Sequence, residues 1–118
     1  MSGQAEGDVL FLDEGLSLWG GYDPETGRII EPTHPQFGEC LTGRIVYMPL
    51  GRGSSSSSSA LAESMRLGTA PAGIVLGEPD SILVVGSLVA NQLYGVECPI
   101  YVGEASELRE GLMRLGEP

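Results

Sequence analysis

Residues 44–65 read RIVYMPLGRGSSSSSSALAESM, and this stretch decides the fold. Its first part, Arg44–Pro49, is rich in β-branched and aromatic residues and predicts a strand. Its last part, from Ala60 to Met65, carries residues at the i, i+4 spacing of one helix face. The glycines and serines of Gly51–Ser59 therefore predict a tight loop between a strand and a helix, which makes them a candidate active-site loop.

The start of this predicted helix can bind an anion. Serines there can cap the unpaired backbone N–H groups, and these groups, with the positive end of the helix dipole, can hold a carboxylate or a phosphate. Arg52 stands next to Gly53 and Ser54, so its guanidinium and the backbone N–H groups could stabilise the alkoxide of a proton-abstracting serine. A flexible serine linker is the alternative, but a linker should join two domains, and this run abuts predicted core elements.

Three common motifs are excluded at this loop. A Walker phosphate loop needs a lysine, and the chain contains none. The Rossmann fingerprint fails because Ser56 stands where the third glycine should be. A Gly-x-Ser-x-Gly nucleophile elbow does not occur around Ser54.

The rest of the chain predicts short strands first and alternating strands and helices afterwards. Val9–Leu12 and Leu16–Trp19 are predicted to be two short strands that form a hairpin or lie as neighbours in a sheet. After the serine helix, which should end near Leu67, the pattern predicts a strand over 72–76 and a helix within 82–94. A strand over 100–102 and a last amphipathic helix over 106–115 should follow. This order predicts an α/β fold, a β-barrel or sheet flanked by a few helices, rather than an all-α fold or a sandwich.

Composition limits the kind of partner. The 118 residues suit one domain, 1–118, and carry a net charge of -10 with six arginines and no lysine. Such a surface repels nucleic acid and anionic lipid, so we expect neither as a partner. The N-terminus lacks a secretory signal and no apolar run is long enough to span a membrane, so a cytoplasmic location is expected.

Other candidate residues are few. His34 is the only histidine, and a triad of Ser54, His34 and Asp23 is conceivable from residue types alone. Trp19, with the two glycines after it, could line a substrate mouth or be a core aromatic residue. The two cysteines, Cys40 and Cys98, are isolated and predict free buried thiols rather than a metal site. An iron–sulfur cluster needs about three or four cysteines, so the chain alone should bind no such cofactor.

Several segments together resemble the small, swivelling-domain subunit of aconitase X. Their order and spacing carry the resemblance, which covers about residues 10–102. The segments are LSLWGGYDPETGRII at 16–30, His34-Pro35, GRGSS at 51–55, Ala70-Pro71-Ala72 and LYGVECP at 93–99. The resemblance implies a β/β/α swivelling domain that closes over an iron-containing active site held mainly by a separate large subunit.

Members of that family are hydro-lyases, so the resemblance implies an enzyme subunit that is active only with its large partner. They dehydrate either cis-3-hydroxy-L-proline or mevalonate 5-phosphate, and residues 19–28 resemble the hydroxyproline type more. Carried over by position, Ser54 is the proton acceptor. We expect Arg52, Gly53, Ser55 and Ser56, which form the candidate anion site with it, to bind the small anionic substrate. Relatives often have a glycine within the serine run, so here Ser54, Ser55 and Ser56 all remain candidates to face the substrate.

Two other classes of function remain open at this stage. The same loop could serve a non-catalytic anion-binding module that needs no second chain. Alternatively, the chain could be a structural partner in which the serine run is an exposed loop, and proteolysis would then cut that loop readily.

Overall fold

The computed structural model describes residues 4–51, 56–108 and 111–115. Its main sheet has five strands in the order β6-β5-β4-β1-β7, and β1, β4, β5 and β6 run parallel while β7 is antiparallel to β1. A separate two-stranded hairpin is formed by β2 and β3. The strands are β1 Ala5–Phe11, β2 Tyr22–Asp23, β3 Arg28–Ile29, β4 Ile45–Met48, β5 Gly73–Leu76, β6 Ile100–Val102 and β7 Leu112–Leu115.

Two helices connect the parallel strands. Helix α1, Ser56–Leu67, joins β4 to β5, and α2, Ser81–Tyr94, joins β5 to β6. Both end where the sequence predicts, because Gly68 and Gly95 take the left-handed conformation, with φ of 80° and 68°. The predictions for β4, β5, β6 and both helices are therefore confirmed. A single 3₁₀ turn, Ala105–Glu107, precedes the last strand.

The hydrophobic core lies mainly on one face of the sheet. There, sheet residues such as Val46 and Ile74 pack with α1, α2 and the irregular segment between β1 and β4. The opposite face holds a smaller cluster of Ile45, Val75 and Leu108, with half-buried aromatic residues around it. The predicted α/β fold class is confirmed. Among the described residues, neither helix combines the length and the apolar composition required to cross a membrane.

The predicted hairpin of Val9–Leu12 with Leu16–Trp19 is wrong. β1 pairs instead with β4 through Val9–Phe11 and with β7 through Ala5–Asp8, and residues 16–19 form no strand. Residues 18–20 form a turn instead, closed by a hydrogen bond of 3.2 Å from the Gly21 N–H to the Ser17 carbonyl. Leu16 and Leu18 are nevertheless fully buried, which explains their strand-like alternation.

The predicted last helix over residues 106–115 is also wrong. Gly111 has a φ of 91°, which a continuous right-handed helix does not allow. After it, Leu112–Leu115 pairs antiparallel with residues 5–8 of β1 and becomes β7. The spacing of the leucines predicts a helix. The segment is extended instead because its backbone forms hydrogen bonds with β1.

Candidate functional site

Both helices begin at the same edge of the sheet. β4 and β5 are parallel neighbours, and α1 and α2 start shortly after their carboxyl ends at Met48 and Leu76. The carboxyl edge of a parallel sheet is where α/β proteins usually bind ligands. The N-termini of both helices therefore lie at this edge.

The two helix N-termini differ in charge. Asp80 caps α2, where its Oδ1 accepts hydrogen bonds of 2.9 Å from the Ile82 N–H and 3.3 Å from the Leu83 N–H. Its carboxylate thus already supplies a negative charge to that helix. Helix α1 has no acidic residue in its first turn. The first turn of α1, where the described part of the serine run lies, therefore lacks the negative charge that Asp80 gives to α2.

Gly51, which precedes the serine run, lies close to the start of α2. A Cβ at Gly51 would collide with Oδ2 of Asp80, so the chain that leaves β4 passes directly against the cap of α2. A residue with a Cβ at this position would force the Asp80 carboxylate away from its capping position. Asp80 was not among the residues singled out from the sequence, although an aspartate just before the apolar run of α2 is a typical helix-cap signal.

The serine loop is only partly described. Four of the predicted site residues, Arg52, Gly53, Ser54 and Ser55, lie outside the described residues. Ser56 is the first residue of α1 and is half-buried. Its position confirms that the serine run enters a helix, whereas the assignment of the proton acceptor and of the substrate-binding residues stays a prediction.

A cavity of about 510 Å³ opens beside the middle of α1. Ser59, Ala60 and Glu63 form its helical wall, and Trp19 and Tyr22 stand opposite. Trp19 is 64% exposed, so the interpretation of this residue as a core aromatic is wrong. Its ring instead offers an apolar surface at the mouth of a cavity that borders the serine helix.

His34 has a structural role that disfavours the triad. The ring is buried, its Nδ1 accepts a hydrogen bond of 3.0 Å from the Gln36 N–H, and its Nε2 lies 3.3 Å from the Glu14 carbonyl oxygen. These partners assign the proton to Nε2 and leave neither nitrogen for a serine. Asp23 organises its own turn, where it accepts from the Glu25 N–H and the Thr26 hydroxyl at 3.0 Å each.

The two cysteines have opposite environments. Cys98 is fully buried, and burial raises the pKa of its thiol to about 12. Cys40 is partly exposed, so the prediction of a buried thiol is wrong for this residue. The pKa of the Cys40 thiol is lowered, chiefly by the hydrogen bond with the Thr42 hydroxyl, with smaller contributions from Arg28 and Arg44.

The described residues do not fit an iron site. Within ranges 4–51, 56–108 and 111–115, no three His, Cys, Asp or Glu side chains come together as metal ligands require. Cys98 is enclosed in the core, and both nitrogens of His34 have backbone partners. The iron implied by the resemblance thus finds no ligand set in this part of the chain.

Comparison with known proteins shows the family. The family model described as the aconitase X swivel domain matches residues 1–114. The chain belongs to the aconitase X swivel-domain family. The solved aconitase X of Thermococcus kodakaraensis, in its holo form, superposes with a TM-score of 0.86 and 30% identity over 98% of this chain and 85% of that one.

Curated relatives of this swivel domain fall into two groups by name. A cis-3-hydroxy-L-proline dehydratase of Pseudomonas aeruginosa is 46% identical over 100 residues, which are 85% of this chain and 17% of that protein. A phosphomevalonate dehydratase small subunit of Methanopyrus kandleri is 48% identical over 86 residues, which are 73% of this chain and 64% of that protein. The chain therefore spans about a sixth of the first relative and less than two thirds of the second.

Proposed function

We propose that this chain is the swivelling component of an aconitase X-type dehydratase and acts together with a larger component. The observation that carries the proposal is the start of α1: a serine-rich helix N-terminus with no acidic residue, at the carboxyl edge of the parallel sheet. Such an end attracts a small carboxylate or phosphate. The names of the two relatives described above, both dehydratases, support the reaction class.

Ser54 is the proton acceptor in this proposal, and Arg52, Gly53, Ser55 and Ser56 bind the anionic group of the substrate. Removal of a proton beside the carboxylate and departure of the hydroxyl from the neighbouring carbon release one water molecule and leave a double bond. In this proposal the backbone N–H groups at the start of α1 and the guanidinium of Arg52 stabilise the alkoxide that Ser54 needs in order to act as a base. The larger component would hold the iron. The residues named here would only transfer the proton and bind the substrate.

The first candidate substrate is cis-3-hydroxy-L-proline. The relative with that name aligns with 85% of this chain at 46% identity. The apolar cavity at Trp19 and Tyr22 offers a surface for the ring carbons of a small cyclic substrate. The second candidate is mevalonate 5-phosphate, which is supported by the 48% identity with the small subunit of that name.

The test is the Ser54→Ala variant assayed in the assembled enzyme with both substrates. General base catalysis contributes about 100- to 10,000-fold, so kcat should fall by that factor while complex formation is unchanged. Ser106→Ala is the matched control, because Ser106 is an exposed serine of the 3₁₀ turn, and it should retain normal kcat.

Two outcomes would contradict the proposal. Normal kcat in Ser54→Ala would show that another group removes the proton. Alanine substitutions at Ser55 and Ser56 would then test whether one of these two serines is that group. Binding of inorganic phosphate by the isolated chain, with no turnover of either substrate in any complex, would instead favour the anion-binding module. Calorimetry on the purified chain measures that binding directly.

A further inference from the structure

Helix α2 is unusual in composition for a helix at the surface of an acidic protein. Its 14 residues, SILVVGSLVANQLY, contain no Asp, Glu, Lys or Arg, although the chain carries a net charge of -10. Surface helices normally present a charged or polar face to solvent. A helix that is apolar on all sides is usually enclosed by other protein.

Only one side of α2 is enclosed by the described part of the chain. The inner side, with Leu83, Gly86 and Ala90, is buried against α1 and the sheet. The outer side carries the exposed amide of Gln92 and four large apolar side chains, which are 47–67% exposed and occupy the i, i+3, i+4 and i+8 positions of one helical stripe. These residues are Val85, Leu88, Val89 and Leu93 and are here called the outer face of α2.

We infer that the outer face of α2 is the surface on which the larger component of the dehydratase docks. The inference rests on the proposed function, since it presupposes that such a component exists. The outer face runs for about 12 Å along the helix, from the second turn to the last. An uncharged centre of this kind is typical of the core of a protein interface.

The larger component fits this face better than a second copy of the chain does. In the Pseudomonas relative the matching region is 17% of the polypeptide, so most of that protein lies outside the swivel domain and is available to cover it. A second copy would bring another net charge of -10 against the first, which opposes association.

Charges near the ends of α2 define the chemistry of the partner. The exposed carboxylates of Glu78 and Glu97 lie three residues before and three residues after the helix. They predict a partner surface with an apolar groove for the outer face and basic residues at its rim. In a homodimer that packs α2 against its copy, the helix itself would supply no basic residue to compensate these carboxylates.

Docking along α2 also brings the partner to the candidate site. The helix starts after Asp80, whose carboxylate lies against Gly51 at the beginning of the serine loop. A partner that covers Val85 is therefore about one turn of helix away from the edge that carries this loop. The same contact that holds the two components together would place the start of α1 beside the partner.

The test uses Val89→Glu and Leu93→Glu, each in the full chain co-expressed with the large aconitase X chain of the same source. Both side chains are about half or more exposed, so the fold should be unaffected, as circular dichroism and thermal unfolding would show. Each glutamate should weaken the measured Kd of the complex at least tenfold, because it buries a charge in an apolar contact. Phe37→Glu is the matched control, since Phe37 is 58% exposed outside α2, and its Kd should change less than twofold.

The outcomes separate this inference from the proposed function. If the wild-type chain forms an active complex and the α2 variants bind equally well, the docking face is elsewhere and only this inference fails. An equal loss in Phe37→Glu would attribute the effect to added charge in general and would also overturn it. If sedimentation shows a wild-type homodimer that Val89→Glu converts to a monomer, a second copy covers the face. Absence of any wild-type complex or turnover would refute the proposed function itself.

Discussion

Gly86 of α2 lies directly against the backbone of Ser58 in the first turn of α1. A Cβ at Gly86 would stand 2.7 Å from the Ser58 carbonyl oxygen and 2.8 Å from its Cα, closer than real Cβ contacts occur. The close approach fixes the start of α1, and hence the end of the serine loop, against α2. Asp80, the cap of α2, also contacts Gly51. Helix α2 therefore contacts the chain on both sides of the serine loop.

Gly86→Ala should therefore destabilise the protein. Alanine favours the helix by up to about 1 kcal/mol, but the added methyl group meets backbone atoms that move only if α1 shifts. We expect a net decrease of about 1–2 kcal/mol in the free energy of unfolding, measured by urea denaturation. In the assembled enzyme kcat should fall as well, because the first turn of α1 is displaced.

The matched control for this variant is Gln92→Ala on the exposed side of the same helix. Its free energy of unfolding should stay within about 0.5 kcal/mol of the wild type. If Gly86→Ala is as stable as the wild type, α1 and α2 can move apart without loss of free energy of unfolding. The contact between Gly86 and Ser58 would then not fix the start of α1.

His34→Ala should reduce stability and leave catalysis intact. The substitution removes the partners of the Gln36 N–H and the Glu14 carbonyl, which connect two segments of the long irregular region. We expect a loss of about 1–3 kcal/mol in the free energy of unfolding. The kcat of the assembled enzyme, measured where the variant is folded, should remain within about twofold of the wild type.

Gln36→Ala is the control for His34. It keeps the backbone N–H that bonds to His34 and removes only the exposed side-chain bonds to Asp13, so it should cost less than about 1 kcal/mol. A fall in kcat of about 100-fold in His34→Ala, with stability unchanged, would instead indicate a general base and would revive the triad.

Alkylation with iodoacetamide should distinguish the two thiols. In the native protein at pH 8, Cys40 should react and Cys98 should not, since the Cys98 side chain is fully buried and its pKa is raised to about 12. The pKa of the Cys40 thiol is lowered, so its reaction should rise with pH earlier than that of an ordinary cysteine. Mass spectrometry of peptides after timed labelling measures both rates.

Thr42→Val tests the cause of the lowered pKa at Cys40. The Thr42 hydroxyl has one proton, which it donates to the Thr69 carbonyl at 2.8 Å while Cys40 is a thiol and can turn to the sulfur when Cys40 ionises. Its removal should raise the pKa and slow alkylation at pH 8, whereas Thr33→Val, an exposed threonine elsewhere, should not. Unchanged reactivity in Thr42→Val would leave the nearby arginines as the main cause.

Much of the parallel half of the fold could be predicted from the sequence. The strand and helix patterns of residues 44–67 and 73–102 depend on local periodicity and on glycines at the helix ends, which act over a few residues. The position of the serine run at the start of α1 followed from the same local signals. Segments near the two ends of the chain were less predictable, because β1 and β7 become strands by pairing with each other across more than a hundred residues.

The sequence by itself determined the α/β class, the strand and the helix on either side of residues 51–55, and the family, since these depend on residue types at fixed local spacings. Only the tertiary structure decided the structural role of His34, the approach of Gly51 to Asp80 and the exposed outer face of α2. These features depend on which residues from distant parts of the chain meet in space. Hydrogen bonds, steric contacts and burial between such residues are properties of the folded packing, and no local pattern specifies them.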